Sequence, residues 1–129
     1  MVSLCQRHGV RIVSDEIHAD LSRPDQVHTP MGKLDPRAIV FASASKSFNI
    51  AGLGGAVAWL RGDEAKAQFV DELRRSGILG THTFAKAALR AAWQEGWPWL
   101  QALQSYLGDN AQFLESFLQE QLPEIGFRK

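Results

Sequence analysis

The hydrophobic positions of this chain form two kinds of pattern. Residues 10–14, 38–42 and 56–60 are short runs rich in Val, Ile, Phe and Trp. Runs of this length and composition predict β-strands, and the uninterrupted runs at 38–42 and 56–60 predict fully buried ones. A short helix at 2–8, ended by Gly9, is predicted before the first strand.

Three longer stretches have the spacing of amphipathic helices, at residues 63–76, 83–95 and 97–122. Thr83 is the predicted cap of the second, Gly77 and Gly96 are stop signals, and Pro98 lies in a first turn. The predicted apolar faces contain Ala65, Phe69, Val70 and Leu73, then Phe84, Ala88, Leu89, Ala92 and Trp93, and finally Leu100, Leu103, Leu107, Leu114, Phe117 and Leu118. The third helix would be ~37 Å long at 1.5 Å per residue, which is more than a small domain needs.

The order of these elements indicates an α/β protein. A helix that leads into a short strand is the repeating unit of a mostly parallel sheet covered by helices. Residues 21–37 contain Pro24, Pro30 and Pro36 and predict an irregular loop. An all-α bundle is disfavoured because strands precede the long helix.

Composition narrows the classes of partner. Fourteen basic residues balance fourteen acidic ones and neither sign is clustered, which argues against nucleic-acid and membrane-surface binding. No apolar run approaches the ~18 residues of a membrane span, and the first residues do not have the pattern of a signal peptide. The single cysteine, Cys5, cannot form an internal disulfide. A cytoplasmic protein is therefore predicted, with Cys5 as a small buried apolar residue.

Lys46 is the first candidate for chemistry. It follows the predicted strand at 38–42 and lies between Ser45 and Ser47, beside Phe48. In open α/β sheets, ligands bind at the carboxyl ends of strands. A lysine there can lose its charge by desolvation and act as a nucleophilic amine. Taken alone, the position also fits an ordinary surface lysine in a polar turn.

Two segments together resemble a known family. They are Ser-Asp-Glu-Ile-His-Ala-Asp, beginning at Ser14, and Ser-Ala-Ser-Lys-Ser-Phe-Asn-Ile-Ala-Gly, beginning at Ser43. The pair resembles the fold-type I pyridoxal phosphate enzymes of the aminotransferase class I/II superfamily, and is most similar to their cystathionine β-lyase, or carbon-sulfur lyase, branch. Either segment alone is a weak motif, but both in this order make a specific one.

The resemblance implies roles for three side chains. Lys46 would hold pyridoxal 5'-phosphate as an imine, and Asp15 would pair with the protonated pyridine nitrogen. His18 would donate to the cofactor's phenolic oxygen, where many aminotransferases have a tyrosine, and histidine here is typical of the lyase branch. The alternatives are turn capping for Asp15 and simple packing at a strand end for His18.

The resemblance also implies a phosphate site. Ser43 and Ser45 are candidates for contacts to the phosphate, through their hydroxyls or through loop N–H groups. Many aminotransferases have a phosphate-binding arginine eight residues after the lysine, whereas this chain has Gly54. His28, in a His-Thr-Pro that the lyases share, is interpreted as a residue of local structure.

Enzymes of the resembled family are about three times longer than this chain, which would therefore be a fragment. Residues 1–96 would be the second half of the large cofactor domain, 97–122 the long interdomain helix, and 123–129 the start of the small C-terminal domain. The third strand would be the antiparallel member of the sheet, in agreement with its short connection. The resemblance further implies a homodimer.

The predicted function is α,β-elimination of a sulfur amino acid to a thiol, pyruvate and ammonia. An aminotransferase is the first alternative, because it would share Lys46 and Asp15. A catalytically incomplete fragment is the second, since ring-stacking and substrate-carboxylate residues lie outside the chain. A hydrolase based on Ser45 or Ser47 is a distant third, because no nucleophile-elbow pattern is present.

Overall fold

The computed structural model describes residues 1–23, 25–78 and 80–127. The helices are α1 (Val2–Arg7), α2 (Met31–Leu34), α3 (Asp63–Arg75), α4 (Thr83–Glu95) and α5 (Trp97–Gln121). The strands are β1 (Val13–Asp15), β2 (Ile39–Ala42) and β3 (Val57–Trp59), and short 3₁₀ turns cover Ala19–Leu21 and Ala51–Leu53. The predicted α/β class and the 25-residue length of α5 are confirmed.

The strands of the described residues form one mixed sheet in the order β1-β2-β3. β1 and β2 are parallel, with Asp15 opposite Phe41, and β2 and β3 are antiparallel, with Phe41 opposite Ala58. The predicted antiparallel third strand is therefore confirmed. The connection from β2 to β3, residues 43–56, contains a 3₁₀ turn but no α-helix of the kind that usually makes the crossover of a parallel return.

The strands are less buried than predicted. Ala38 and Val40 are buried, but Val57 and Trp59 of β3 are 45% and 40% exposed. The expectation that 56–60 is a fully buried strand is wrong for this chain, because β3 is an edge strand among the described residues and has only β2 beside it.

The predicted irregular loop at 21–37 contains a helical turn, α2, so this expectation is wrong for Met31–Leu34. Pro30 immediately precedes the turn, where a fixed φ and a missing N–H are tolerated. The Met31 N–H donates to Oε1 of Glu16, 15 residues earlier, at 2.8 Å. A distant carboxylate thus satisfies a free amide of the helix start. Pro24 lies outside the described residues.

The turn before β2 is held by Asp35, which is fully buried. Its carboxylate accepts hydrogen bonds from the Arg37 backbone N–H at 3.0 Å and from the Arg37 guanidinium at 3.2 Å and 3.3 Å. The side-chain hydrogen bond from Arg37 is the main cause that lowers the pKa of Asp35 below its ordinary value, against the opposing effect of burial. These hydrogen bonds stabilise the turn that leads into β2.

The cap of α4 is His82 rather than the predicted Thr83. The Phe84 N–H donates to Nδ1 of His82 at 3.3 Å, and Thr83 is already the first helical residue. Gly96 ends α4 as predicted. It also packs against the Phe48 ring, so that a Cβ at position 96 would collide with that ring and with the Ala92 carbonyl.

The small core is formed by residues in or beside β2, in α4 and at the start of α5. Its buried apolar residues are Ala38, Val40, Ala44, Ala85, Leu89 and Leu100. The predicted apolar faces are buried only in part, because Phe84 of α4 is 71% exposed and Phe117 of α5 is 46% exposed. The second half of α5 continues past the elements that cover its first turns. None of the helices within the described ranges is long and apolar enough to span a membrane.

Candidate active site

The candidate site lies at the carboxyl ends of β1 and β2. Because the two strands are parallel neighbours, the loops that follow them leave the sheet at the same edge. The pairing continues one residue beyond β1, where the Glu16 N–H donates to the Phe41 carbonyl at 2.8 Å. The segment that begins at Asp15 and the segment that begins at Ser43 therefore start side by side.

Asp15 is the last residue of β1 and its side chain is exposed. Its Oδ1 accepts a hydrogen bond from the Ile17 N–H at 3.2 Å. This Asx-type contact is the turn-capping role considered from the sequence, and it orients the carboxylate at the strand end. Oδ1 caps the turn and Oδ2 accepts no hydrogen bond from the described residues, so the capping role and the ligand role are compatible.

His18 is exposed and directly precedes the 3₁₀ turn Ala19–Leu21. The backbone is held there by the Leu21 N–H, which donates to the His18 carbonyl at 3.0 Å. Within residues 1–23, 25–78 and 80–127 the imidazole has no hydrogen-bond partner. Among the described residues the imidazole is therefore exposed and accessible to a ligand.

The loop after β2 is fixed by Ser43, which is buried. Its hydroxyl donates to the Gly55 carbonyl at 2.6 Å, lies 2.9 Å from the Ser45 hydroxyl, and accepts from the Ser45 N–H at 3.1 Å. The hydroxyl proton of Ser43 is therefore engaged in the hydrogen bond to the Gly55 carbonyl. Ser45, which is half-buried, is the better placed of the two predicted serines for a phosphate contact.

Lys46 lies in a tight turn formed by this loop. The Phe48 N–H donates to the Ala44 carbonyl at 3.0 Å and the Ile50 N–H to the Ser45 carbonyl at 3.1 Å. Ala44 and Ser47 are fully buried, whereas Lys46 between them is exposed. The desolvation expected from the neighbouring Phe48 is therefore not provided by the described residues.

The first turns of α5 contact both loops, which the sequence did not predict. The Trp99 indole N–H donates to the Ser47 carbonyl at 3.1 Å. The Gln104 amide donates to the carbonyls of Asp20 and Ser22 at 2.9 Å and 3.0 Å. Ser47 Oγ lies 3.4 Å from Oδ2 of Asp20 and joins the two loops. The two tryptophans around Pro98 were the only sequence signal for this contact.

Glu16 is a second residue that the sequence analysis missed. Its side chain is only 7% exposed, and it accepts hydrogen bonds from the Ser14 hydroxyl at 3.0 Å and the Met31 N–H at 2.8 Å, with His28 Nε2 at 2.8 Å. Burial raises the pKa of Glu16, but the His28, Met31 and Ser14 hydrogen bonds outweigh it and lower the pKa below 4.5. His28 thus has the local structural role that was expected of it.

A model of the family described as aminotransferase class I and II matches residues 1–128. The chain belongs to this family. It is 38% identical over 130 residues to cystathionine β-lyase PatB of Bacillus subtilis, covering 98% of this chain and 34% of that protein. It is also 36% identical over 130 residues to protein MalY of Escherichia coli, covering 99% of this chain and 33% of that protein.

Solved structures agree with the fold. A pyridoxal phosphate-bound putative aminotransferase from Clostridium difficile superposes with a TM-score of 0.91 at 30% identity, covering 98% of this chain and 34% of that one. A pyridoxal phosphate-bound C-S lyase from Staphylococcus hominis superposes with a TM-score of 0.84 at 33% identity, covering 95% of this chain and 31% of that one. The predicted fold class is confirmed, and the chain spans about a third of the length of the curated relatives it matches.

Proposed function

We propose that the intact protein is a pyridoxal phosphate-dependent carbon-sulfur β-lyase of the cystathionine β-lyase type. The observation that carries the proposal is the placement of Asp15 and the Lys46 loop at one edge of the sheet, on adjacent parallel strands. The similarity to a cystathionine β-lyase and to a C-S lyase supports the choice of reaction. The substrate class would be a sulfur-containing amino acid.

The residues present fit the cofactor. Lys46 offers an exposed primary amine, Asp15 a carboxylate with one oxygen available, and His18 an imidazole without a partner in the described part of the chain. The amine would bind the cofactor's aldehyde, the carboxylate its pyridine nitrogen and the imidazole its phenolic oxygen. The Ser45 hydroxyl and the N–H groups of its loop are suited to a phosphate.

When bound, pyridoxal phosphate supplies a ring that accepts the electron pair released at the substrate's Cα. Lys46 would bind the aldehyde carbon through Nζ and, once displaced by the substrate amine, would take up the Cα proton. Asp15 would hold the pyridine nitrogen in its protonated form, and His18 would donate to the phenolic oxygen. Loss of the thiol from Cβ, followed by addition of one water, gives pyruvate and ammonia.

Three further features belong to the same proposal. Residues 1–96 would be part of the cofactor domain, 97–122 the interdomain helix, and 123–129 the start of a small domain, of which Arg128 and Lys129 lie outside the described residues. The active form would be a homodimer, and the location cytoplasmic. The domain boundaries and the homodimer rest on the family resemblance, whereas the location rests on the single cysteine.

An aminotransferase is the second candidate, because the family model and the structure titled putative aminotransferase are both compatible with Asp15 and Lys46. The two activities are separated by assaying the intact protein with cystathionine. Pyruvate release without an added keto acid would support the lyase, whereas turnover that requires a keto acid would support the aminotransferase.

The attachment of the cofactor is tested independently of turnover. The intact protein is incubated with pyridoxal phosphate, reduced with borohydride and digested, and the peptides are mapped. We expect the pyridoxyl label on Lys46. A label on Lys33, Lys66 or Lys86 instead would contradict the assignment.

A further inference from the structure

Trp99 makes a polar contact that its apolar packing does not explain. The side chain is 55% exposed, so that much of the indole contributes little to the core. Its N–H nevertheless donates at 3.1 Å to the carbonyl of Ser47, 52 residues earlier in the chain. Trp97, on the same helix and 60% exposed, has no such hydrogen bond within the described ranges.

The acceptor of this hydrogen bond is the residue next to Lys46. Ser47 is fully buried, and its hydroxyl lies 3.4 Å from Oδ2 of Asp20. The carbonyls of Ala44 and Ser45 are satisfied inside the turn, whereas the carbonyl of Ser47 is satisfied by α5. A buried carbonyl left without a donor is costly, so the contact restrains the Ser47–Phe48 peptide plane, one residue beyond Lys46.

A second contact holds the other loop to the same helix. Gln104, five residues beyond Trp99, donates to the carbonyls of Asp20 and Ser22. The Phe48 ring packs directly on Gly96, the residue before α5. The start of α5 is therefore attached to the loop after β1, which follows Asp15 and His18, and to the loop after β2, which contains Lys46.

We propose that Trp99 is a positioning residue for Lys46, which sets the orientation of the Lys46 turn from α5 through the Ser47 carbonyl. The inference rests on the proposed function, because it concerns Lys46 as the lysine that binds the cofactor. Gln104 supports the same arrangement because it donates to the Asp20 carbonyl and so holds the loop after β1. The Ser47 hydroxyl donates to the Asp20 carboxylate in that loop. A shift of α5 would thus move both loops together.

The test uses Trp99→Phe in the intact protein with bound pyridoxal phosphate, since phenylalanine keeps an aromatic ring and removes the donor. Trp97→Phe is the matched control. We expect amide hydrogen exchange across residues 44–50 to become about 2- to 10-fold faster in Trp99→Phe, as loss of one net hydrogen bond implies. We also expect the pH at which the absorbance of the cofactor-lysine bond titrates to shift. Trp97→Phe should change neither property.

The outcomes distinguish the inference from the function on which it rests. If borohydride labels Lys46 in the wild type but the titration is unchanged in Trp99→Phe, only the inference is overturned. Label on another lysine overturns the proposed function and the role of Trp99 together. If Trp99→Phe does not fold, Gln104→Leu tests the same arrangement, and the same two shifts are expected; their absence overturns the inference.

Discussion

Removing the charge of Glu16 is the perturbation that the structure predicts most sharply. The carboxylate is almost entirely buried and has three hydrogen-bond partners, the Ser14 hydroxyl, the Met31 N–H and His28 Nε2. Glu16→Gln keeps the size of the side chain and one carbonyl oxygen, which can still accept from Ser14 and Met31. It loses the charge-assisted contact with His28.

The magnitude follows from that single loss. A hydrogen bond to a charged group contributes ~1.5–3 kcal/mol, and the His28 side chain is 35% exposed, so that solvent weakens the contact. We therefore expect the free energy of local opening to fall by about 1.5–2 kcal/mol, which corresponds to a roughly 13- to 30-fold change in the local opening equilibrium. Glu16→Ala, which removes every acceptor from the Met31 amide, should cost more.

The assay is amide hydrogen exchange of residues 31–35 in the intact protein. Glu124→Gln is the control, because Glu124 is exposed and has no partner among the described residues. The folded-state pKa of Glu16 is lowered below 4.5, so its contribution is complete above the unfolded pKa and is lost as pH falls through the folded pKa. The difference between wild type and Glu16→Gln should therefore be full at pH 6 and disappear in acid.

Two results would refute the reasoning. Exchange at residues 31–35 that is equal in Glu16→Gln and wild type at pH 6 would mean that the His28 contact stabilises nothing. A difference that grows as the pH is lowered below 4.5 would have the wrong sign for a carboxylate whose pKa is lowered on folding.

Three further predictions concern the site, the packing and the isolated chain. Asp15→Ala should reduce activity far more than Asp20→Ala, since in the described part of the chain the Asp20 carboxylate accepts only a 3.4 Å hydrogen bond from Ser47; equal losses would identify Asp15 as a turn acid. Gly96→Ala should lower the free energy of unfolding by ~1–3 kcal/mol, because the added methyl group overpacks the site. Gly108→Ala, which has open space around it, should raise the free energy of unfolding by roughly 0.5–1 kcal/mol. Both changes are measured by denaturant titration. Residues 1–129 alone should associate in sedimentation and show no β-elimination, because strand edges and apolar faces stay uncovered; a compact, active monomer would contradict this.

Local pattern predicted most of the elements, though not α2, and the order of the site residues. The spacing of apolar residues predicted α3, α4 and α5 to within one residue at each end, and Gly9, Gly77 and Gly96 ended helices as expected. The two motifs predicted that an acid and a lysine each lie at the end of a strand. These features depend on residues close in sequence, whose backbone preferences and periodicity are present in the chain itself.

Only the tertiary structure decided which side chains hold the loops and which are covered. Glu16 contacts Met31 across 15 residues, and Trp99 contacts Ser47 across 52. Nothing in a local pattern specifies such partners, because they depend on how separate elements pack. Burial is likewise a property of the neighbours: Trp59 and Phe84 fit their apolar patterns and are still exposed, since a side chain is buried only where another element lies against it.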